Sequence, residues 1–556
     1  IKRARPGDYI VVVGGRVGQD GIHGATFSSE ALSSGSPAGA VQIGDPITQK
    51  KLSDAIIKEA RDLKLYNSIT DNGAGGLSCS VAEMAKESNG CLVNLEKVPL
   101  KYPGLEPWKI WISESQERMT LAVHKNRWLK FSKLMISRDV EATVIGEFNN
   151  SGQCVVKYHK KTVMDIDMEF LHNGLPVRPM KTTPVKSSFK EPVIPQQKKL
   201  NEVLLLMMQR LNISSFEFIS SQYDHEVQAN SAIKPLQGKG KVNGETSVVR
   251  PIFNSSGAVA LSQGLYPSYS EIDCYQMAGA SIDTAIRNLV ASGVDIDKIA
   301  LLDNFCWCSS NDPQRLYQLK KASEACYDFA KIYETPFISG KDSMFNDFKG
   351  YDEKGNSIKI SVPPTLLISS LGLIEDVLKI ISIDIKFPGD PIYILGETKD
   401  ELGGSEYFAM NKSIGNNVPK VDGNKNKKLY QSFYKASQKQ LISSAISITR
   451  GGLGVALVKT ALAGKLGLEV SLNNLSGLGI RNDFTLFSES QGRILVTINP
   501  KNKKEFEKIM KENVIKQIGQ VTDDQRLVIK GLDNKIIVNL DLKKIEKNYK
   551  STFKNY

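Results

Sequence analysis

The sequence predicts a layered α/β protein (α+β layered) built from tandem domains, one of which occurs twice. The segments SITDNGAGGLSCSVAEMA and WISESQERMTLAV return later as AISITRGGLGVALVKTALAG and DFTLFSESQGRILVTI. The segment from Pro6 to Gly14 returns ahead of them as Pro388 to Gly396. Strand-like runs such as YIVVVGG alternate with helical periods such as PITQKKLSDAIIKEARDL, which is typical of an α/β layer.

The chain is predicted to divide into three domains and a linker. Residues 1–175 and 387–556 are the two copies of a B-type domain, the second of them degenerate, and residues 200–386 form a different, A-type domain. Residues 176–199, rich in Pro and Lys, read as an extended linker. The order is therefore B-A-B. Since an A-type domain ahead of Ile1 would complete an A-B-A-B plan, we expect the chain to be truncated at its N-terminus.

Composition excludes several classes of protein. The 556 residues carry a net charge of +12, but 72 basic residues are scattered among 60 acidic ones. This predicts a solvated basic face that can attract anionic substrates, and no nucleic-acid groove. No apolar run approaches the roughly 18 residues of a membrane span, and no signal-peptide core is seen, so we expect a cytoplasmic protein without membrane contact. The seven cysteines read as reduced packing residues.

The first B-type copy holds two features that its repeat lacks. A glycine-dense loop, Gly14 to Glu30, follows a strand and is either an anion cradle or a tight turn. His23 within it is read as a structural hydrogen-bonding group or a substrate donor. Asp71 opens the DNGAGGLS turn as either a helix cap or a Mg²⁺ ligand. The repeat has Ser447 there, and a serine can also cap a helix. An aspartate in one copy therefore indicates that this position requires a negative charge.

The turn SESQER places a carboxylate, a hydroxyl and an amide on Glu114, Ser115 and Gln116. Such a turn can grip a polyhydroxylated or amide-bearing ligand. The repeat keeps the same four letters at 488–491, which fits a structural turn at least as well. Both interpretations stay open at this point.

In the A-type domain, oxygen ligands suited to Mg²⁺ near a nucleotide phosphate stand at Glu245, Asp283 and Asn288. Surface carboxylates are the alternative. Lys341, Asp342 and Ser343 follow a short strand, where lysine and hydroxyl can meet phosphate. These residues alone predict a phosphate or nucleotide enzyme.

Taken together, GGRVGQDGIHGATFSSE, VQIGDP, DNGAGGL, WISESQERM, DNFCW and ISGKDSMFND resemble phosphoribosylformylglycinamidine synthase along essentially the whole chain. The resemblance implies tandem domains of the aminoimidazole ribonucleotide synthase-like superfamily. It also implies an ATP-dependent ligase of purine biosynthesis that converts formylglycinamide ribonucleotide to formylglycinamidine ribonucleotide. ATP would phosphorylate the amide oxygen, and ammonia derived from glutamine would displace phosphate from the iminophosphate.

The resemblance also implies roles for particular residues, with Mg²⁺ as cofactor and ATP as substrate. Asp71 would bind metal, and ATP would contact Asp303 and Gly340. The substrate-binding residues would be Gln42, Glu114, Ser115, Gln116 and Ser343. Lys341 replaces an asparagine that binds metal in some relatives.

A second, auxiliary nucleotide site is implied as well, with metal ligands at Glu245, Thr284, Asn288 and Ser447. Acidic residues would be expected at the second and last of these positions, and Asp283 would compensate for Thr284. We therefore expect this auxiliary site to be weakened or reorganised.

No catalytic residue is expected within this chain. The family's catalytic histidine belongs to an A-type domain that would lie upstream of Ile1, so the fragment alone is expected to be inactive. Ammonia would come from a separate glutaminase subunit, with a small bridging subunit or a fused equivalent. Aminoimidazole ribonucleotide synthase and selenophosphate synthase lack the duplication. A noncatalytic nucleotide-binding scaffold of the same superfamily remains the alternative.

Overall fold

A computed structural model describes residues 2–31, 38–186, 188–226, 228–478 and 481–556. It divides into two compact units. The first comprises residues 1–180 and 345–360, and the second comprises 181–344 and 361–556. The first unit contains residues 1–175 together with residues 345–360 of the A-type region, and the second unit contains the rest of the A-type region and residues 387–556.

The described residues up to 180 form seven strands and six α-helices. The strands are β1 (Asp8–Gly14), β2 (Ser68–Asp71), β3 (Cys91–Asn94), β4 (Arg118–His124), β5 (Ala142–Phe148), β6 (Gln153–Tyr158) and β7 (Lys161–Asp167). The helices are α1 (Gly24–Phe27), α2 (Pro46–Ala55), α3 (Leu77–Ser88), α4 (Pro107–Ile112), α5 (Lys125–Ser137) and α6 (Met168–Asn173). Asp45 caps α2 by accepting from the N–H groups of Ile47 and Thr48, as an acidic residue before a proline at a helix start predicts.

These strands make one sheet in the order β2-β4-β1-β5-β3-β6-β7. Its inner strand β1 reads DYIVVVG and is buried at Ile10, Val11, Val12 and Val13, which explains why that run is continuously apolar. Two hydrophobic clusters, one beneath α3 and one beneath α2 and α5, cover the two faces of the sheet.

The region from 200 to 386 contains a six-stranded sheet and two long helices. The strands of this region, six of which form the large sheet, are β8 (Ser231–Ile233), β9 (Leu236–Gln237), β10 (Val242–Asn243), β11 (Thr246–Val249), β12 (Ala258–Leu265), β13 (Ile299–Cys306), β14 (Phe337–Gly340), β15 (Asp347–Tyr351), β16 (Ser357–Ser361) and β17 (Thr365–Ile374). Its helices are α7 (Asn201–Met208), α8 (Glu217–Ser220), α9 (Cys274–Ala291) and α10 (Pro313–Tyr333). The large sheet has the order β14-β13-β17-β12-β11-β8.

From residue 387 onward, the part of the chain that the structure describes forms another set of seven strands and six α-helices. The strands are β18 (Pro391–Leu395), β19 (Ile442–Ser447), β20 (Gly467–Ser471), β21 (Ile494–Ile498), β22 (Ile515–Thr522), β23 (Arg526–Lys530) and β24 (Ile536–Asp541). The helices are α11 (Glu406–Met410), α12 (Gly423–Gln438), α13 (Gly452–Gly464), α14 (Asn482–Phe487), α15 (Lys503–Met510) and α16 (Leu542–Tyr549).

The sheet order of this last region, β19-β21-β18-β22-β20-β23-β24, is the order of the first sheet strand for strand. Even the irregularities recur, because the register shifts between Ile10 and Val11 in the first sheet and between Ile392 and Tyr393 in the last. The predicted duplication and the layered α/β fold class are confirmed.

Helix α9 explains why the second unit does not divide further. All but two of its 18 residues are buried, and its hydrophobic cluster joins side chains of the six-stranded sheet to others of β18 and β21. A helix buried on every side belongs to the interior of a large core. The stretch predicted as a linker carries no helix or strand among its described residues, and Glu191 within it accepts from the N–H of Asn417 at 2.8 Å.

Within the described ranges, no helix is both long enough and apolar enough to span a bilayer. The cysteines are all described, and none is joined in a disulfide.

Candidate functional site

The turn that follows α4 holds the glycine-dense loop and the DNGAGGLS turn of the first repeat together. The Glu114 carboxylate is buried and accepts from the backbone N–H of Ala25 at 3.0 Å and of Gly75 at 3.1 Å. It also accepts from Nε2 of Gln42 at 3.0 Å. The anion that these amides hold is therefore the protein's own Glu114. The loop is a tight turn packed on that carboxylate.

The neighbouring residues of the turn are anchored in the same way. Ser115 Oγ accepts from the N–H of Gly18 at 3.0 Å, and Gln116 Nε2 donates to the carbonyl of Glu114 at 2.7 Å. Buried Arg118 donates to the carbonyls of Ser113 and Ser115 at 2.6 and 2.7 Å. Burial lowers the pKa of Arg118 to about 10, so the guanidinium stays charged at neutral pH.

Asp71 is the last residue of β2 and is exposed. Its Oδ1 accepts from the N–H of Gly73 at 2.8 Å, which orients the carboxylate at the start of the DNGAGGLS turn. Among all described residues, no group of three His, Cys, Asp or Glu side chains is arranged to hold a metal. A single exposed carboxylate still fits Mg²⁺, which in nucleotide enzymes commonly takes one or two carboxylates and completes its shell with water and phosphate oxygens. His23 is exposed, and its ring stacks on Trp108 with centroids 6.4 Å apart.

A cleft of about 870 Å³ opens beside Gln116 in the first unit. Gly14 and Gly15 line it, and its charged side chains carry both signs, since Arg16 pairs with Glu141 and Lys51 pairs with Asp139. Gly14 has a φ of +100°, and a Cβ there would lie 2.1 Å from the carbonyl oxygen of Glu117, so only glycine fits this approach.

The second repeat reproduces the turn bond for bond. Gln491 Nε2 donates to the carbonyl of Glu489 at 2.9 Å, and Arg493 donates to the carbonyls of Ser488 and Ser490 at 2.6 and 2.9 Å. Glu489 accepts from the N–H of Gly451 at 2.8 Å, as Glu114 does from Gly75. Burial raises the pKa of Glu489. Arg450 and the N–H of Gly451 lower this pKa, but they offset only part of the rise. The shared letters Ser-Glu-Ser-Gln therefore encode a folding motif in both halves.

The two halves differ in the surroundings of Gln116 and of its equivalent, Gln491. In the second half the corresponding cleft, between Gly396 and Gln491, shrinks to about 100 Å³. Gln491 is buried and its Oε1 accepts from Thr284 Oγ1 at 3.0 Å and from Arg287 at 3.1 Å. Ser447 Oγ accepts from Arg287 Nε at 2.7 Å.

The second unit brings three other predicted residues together. Strands β13 and β14 run parallel, with Asp303 opposite Gly340, and the N–H of Ser343 donates to the carbonyl of Phe305 at 2.9 Å. A Cβ on Gly340 would lie 2.2 Å from Asp303 Oδ1. Burial and the nearby Asp342 raise the pKa of Asp303. The carboxyl ends of parallel strands are where α/β proteins bind ligands.

The residues predicted to hold an auxiliary metal have other partners. Glu245 Oε1 accepts from Lys459 Nζ at 2.7 Å, and Asn288 Nδ2 donates to the carbonyl of Gln263 at 3.2 Å. The carboxylate of Asp283 pairs with Arg287. Asn288 Oδ1 is buried and accepts no hydrogen bond from the described residues. One amide oxygen without a free carboxylate does not fit a divalent cation.

A known protein family matches the two seven-stranded halves of the chain. The family model for the AIR synthase related protein, C-terminal domain, matches residues 5–159 and 388–531. The phosphoribosylformylglycinamidine synthase subunit PurL of Methanocaldococcus jannaschii is 34% identical over 566 residues, covering 99% of this chain and 73% of that relative. The chain belongs to the PurL family of phosphoribosylformylglycinamidine synthase subunits.

Other PurL proteins agree with this. PurL of Thermococcus sibiricus is 32% identical, covering 98% of this chain and 73% of its own length. The solved Thermotoga maritima PurL complexed with FGAR has a TM-score of 0.64 and 22% identity, covering 94% of this chain and 72% of that one. At this level of identity the structural likeness establishes the PurL fold.

Arg287 is the residue that the sequence did not single out. An arginine four residues after Asp283 in the run SIDTAIRN, on a helix rich in apolar and small residues, was the available signal. Its partners lie about 160 residues or more away at Ser447 and Gln491, and no local pattern connects them.

Proposed function

We propose that this chain carries the substrate-binding and nucleotide-binding parts of a cytoplasmic ATP-dependent C–N ligase, which amidates formylglycinamide ribonucleotide to formylglycinamidine ribonucleotide. The observation that carries the proposal is the 34% identity to a PurL subunit across 99% of the chain. The first repeat supports it, because it has the carboxylate of Asp71 at the position where its twin has Ser447, which accepts from Arg287.

The chemistry has two steps. The amide oxygen of the substrate attacks the terminal phosphorus of ATP, which releases ADP and leaves an iminophosphate. Ammonia then attacks the amide carbon, and phosphate leaves with its oxygen. The protein's task is to position the reactants and stabilise developing negative charge.

The residues of this chain divide that task. Gln116 and Ser343 bind the substrate, Asp303 and Gly340 contact ATP, and Asp71 holds Mg²⁺. When bound, Mg²⁺ neutralises charge on the transferring phosphoryl group. Glu114 positions Gln42 through the hydrogen bond of 3.0 Å between them, and Ser115 fixes the loop at Gly18.

Ammonia is supplied by a separate glutaminase subunit, together with a small bridging subunit. Support comes from the solved PurLQS of Thermotoga maritima, which has a TM-score of 0.60, 21% identity, and covers 94% of this chain and 72% of that one.

The test is an ammonia-driven assay for formylglycinamidine ribonucleotide, with ATP and Mg²⁺, on the natural protein that carries these residues. Asp71→Asn should lower the turnover about 100-fold or more while leaving the fold intact, since one charge that binds a catalytic metal is lost. Ser447→Ala, the matched change in the second repeat, should retain activity.

No product from the wild-type protein would favour a noncatalytic nucleotide-binding scaffold. Wild-type kinetics in Asp71→Asn would remove the metal role of that residue while leaving the ligase in place.

A further inference from the structure

The two repeats can be superposed in register, which makes the position of Asp71 identifiable in the second. In the first sheet, Asp71 stands opposite Met119, the residue after Arg118. In the second, Ser447 stands opposite Ile494, the residue after Arg493. Ser447 is therefore the structural equivalent of Asp71, and Gln491 is the equivalent of Gln116.

Both equivalents contact the same guanidinium. Arg287 is fully buried on α9, and its Nε donates to Ser447 Oγ at 2.7 Å. One of its terminal nitrogens donates to Gln491 Oε1 at 3.1 Å, to Thr284 Oγ1 at 3.0 Å and to the carbonyl of Ile448 at 3.2 Å. These oxygens are of the kind that would surround a hard cation, and a cationic side chain is already among them.

The carboxylate that balances the charge of Arg287 is also fully buried. Asp283, four residues before Arg287 on the helix, pairs with the guanidinium. Its carboxylate also accepts from the hydroxyls of Tyr333 and Tyr430, both at 2.6 Å. Asn426 Nδ2 at 2.8 Å and the N–H of Gly492 at 3.1 Å complete its donors.

The protonation of Arg287 is secure. Burial by itself would lower its pKa, but Asp283 and the neighbouring tyrosines outweigh burial and raise it. A buried pair whose remaining donors and acceptors are satisfied can persist in a core, whereas removal of one partner leaves an uncompensated charge.

We propose that Arg287 is a built-in cation that takes the place of a divalent metal ion in the second repeat. This half of the molecule is consequently ordered without metal. The comparison with Asp71 rests on the proposed function, whereas the tests below measure the second repeat alone.

The first test needs only the wild-type protein. Hydrogen exchange is measured in peptides covering residues 283–288 and 445–453, in EDTA, in Mg²⁺ and in Mn²⁺. We expect exchange rates in these peptides to agree within about twofold across the three conditions, because no opening step is linked to metal. Slower exchange in Mg²⁺ or Mn²⁺ at these peptides would overturn the proposal.

The second test removes the cation. In Arg287→Ala, exchange in the same peptides should rise about 100-fold or more, because Asp283 is left buried and unpaired. Added methylguanidinium or Mn²⁺ should slow it again. Exchange as slow as in the wild type would show that the guanidinium is dispensable and would contradict the proposal.

Arg287→Lys is the matched variant, since it keeps the charge but loses the fork that reaches Ser447 and Gln491 together. We expect intermediate exchange. If Arg287→Ala does not fold, Arg287→Lys and the wild-type comparison decide the matter: exchange in Arg287→Lys equal to the wild type would contradict the role of the fork.

Discussion

The backbone N–H of Gly75 donates to the buried carboxylate of Glu114 at 3.1 Å, and thereby joins two turns that lie 39 residues apart. The same bond recurs between Gly451 and Glu489 at 2.8 Å. Its presence in both the open and the filled repeat indicates that this carboxylate serves the fold wherever the turn occurs.

Glu114→Gln should therefore destabilise the first repeat. A neutral amide is a weaker acceptor for the two backbone N–H groups, and we expect a cost of about 1–3 kcal/mol. Hydrogen exchange in residues 18–25 reports the loosened loop, and Glu489→Gln is the matched change in the second repeat. Unchanged exchange together with weakened substrate binding would instead identify Glu114 as a direct ligand.

Gln116→Ala and Gln491→Ala should have different effects, although the two residues are equivalent. We expect Gln116→Ala to raise the apparent KM for formylglycinamide ribonucleotide about 3- to 10-fold, the value of one neutral hydrogen bond. Gln491→Ala should lower the midpoint of thermal unfolding, because Arg287 and Thr284 lose an acceptor. Equal effects on KM in both variants would contradict the assignment of the first cleft to substrate.

Gly76→Ala should destabilise the first repeat strongly. Gly76 has a φ of +54°, and a Cβ there would lie 1.9 Å from the carbonyl oxygen of Ser113. The strain of a non-glycine residue in such a conformation is about 1–3 kcal/mol, and the backbone clash adds to it. Gly104→Ala is the control, because Gly104 also has a positive φ, +92°, but no atom lies within 4 Å of its Cβ position. Equal unfolding midpoints in the two variants would show that the close approach of residue 76 to the carbonyl of Ser113 does not lower stability.

Glu406→Gln should change how stability depends on pH. Burial by itself raises the pKa of Glu406, but Asn212, Arg210 and Arg450 outweigh burial and hold it below the ordinary value. A lowered folded pKa gives stability that is present above the unfolded pKa of about 4.3 and is lost as the pH falls through the folded value.

The variant should accordingly be less stable than the wild type at neutral pH, by about 1–3 kcal/mol, and the difference should shrink below about pH 4. Chemical unfolding across that range measures it. A difference that does not depend on pH would mean that the charge of Glu406 contributes nothing.

Much of this architecture was accessible from the sequence. The recurrence of Pro6–Gly14 and of the two glycine turns predicts the duplication, because strands and turns repeat only if the sheet repeats. The contacts of Arg287 were not accessible, since they join α9 to the end of β19 and depend on how those elements pack. The sequence equally left Glu114 undecided between ligand and turn, because a carboxylate that accepts backbone hydrogen bonds and one that binds a substrate look alike as letters.

The bond-for-bond identity of the two Ser-Glu-Ser-Gln turns has a consequence for reading related genomes. Those four letters in a related protein indicate that the turn can close. They do not indicate whether that protein turns over a substrate. The two copies in this chain differ in charge at the last residue of the strand before the Gly-Gly-Leu turn, which is Asp71 in the first repeat and Ser447 in the second. The four letters of the turn carry no information about that difference.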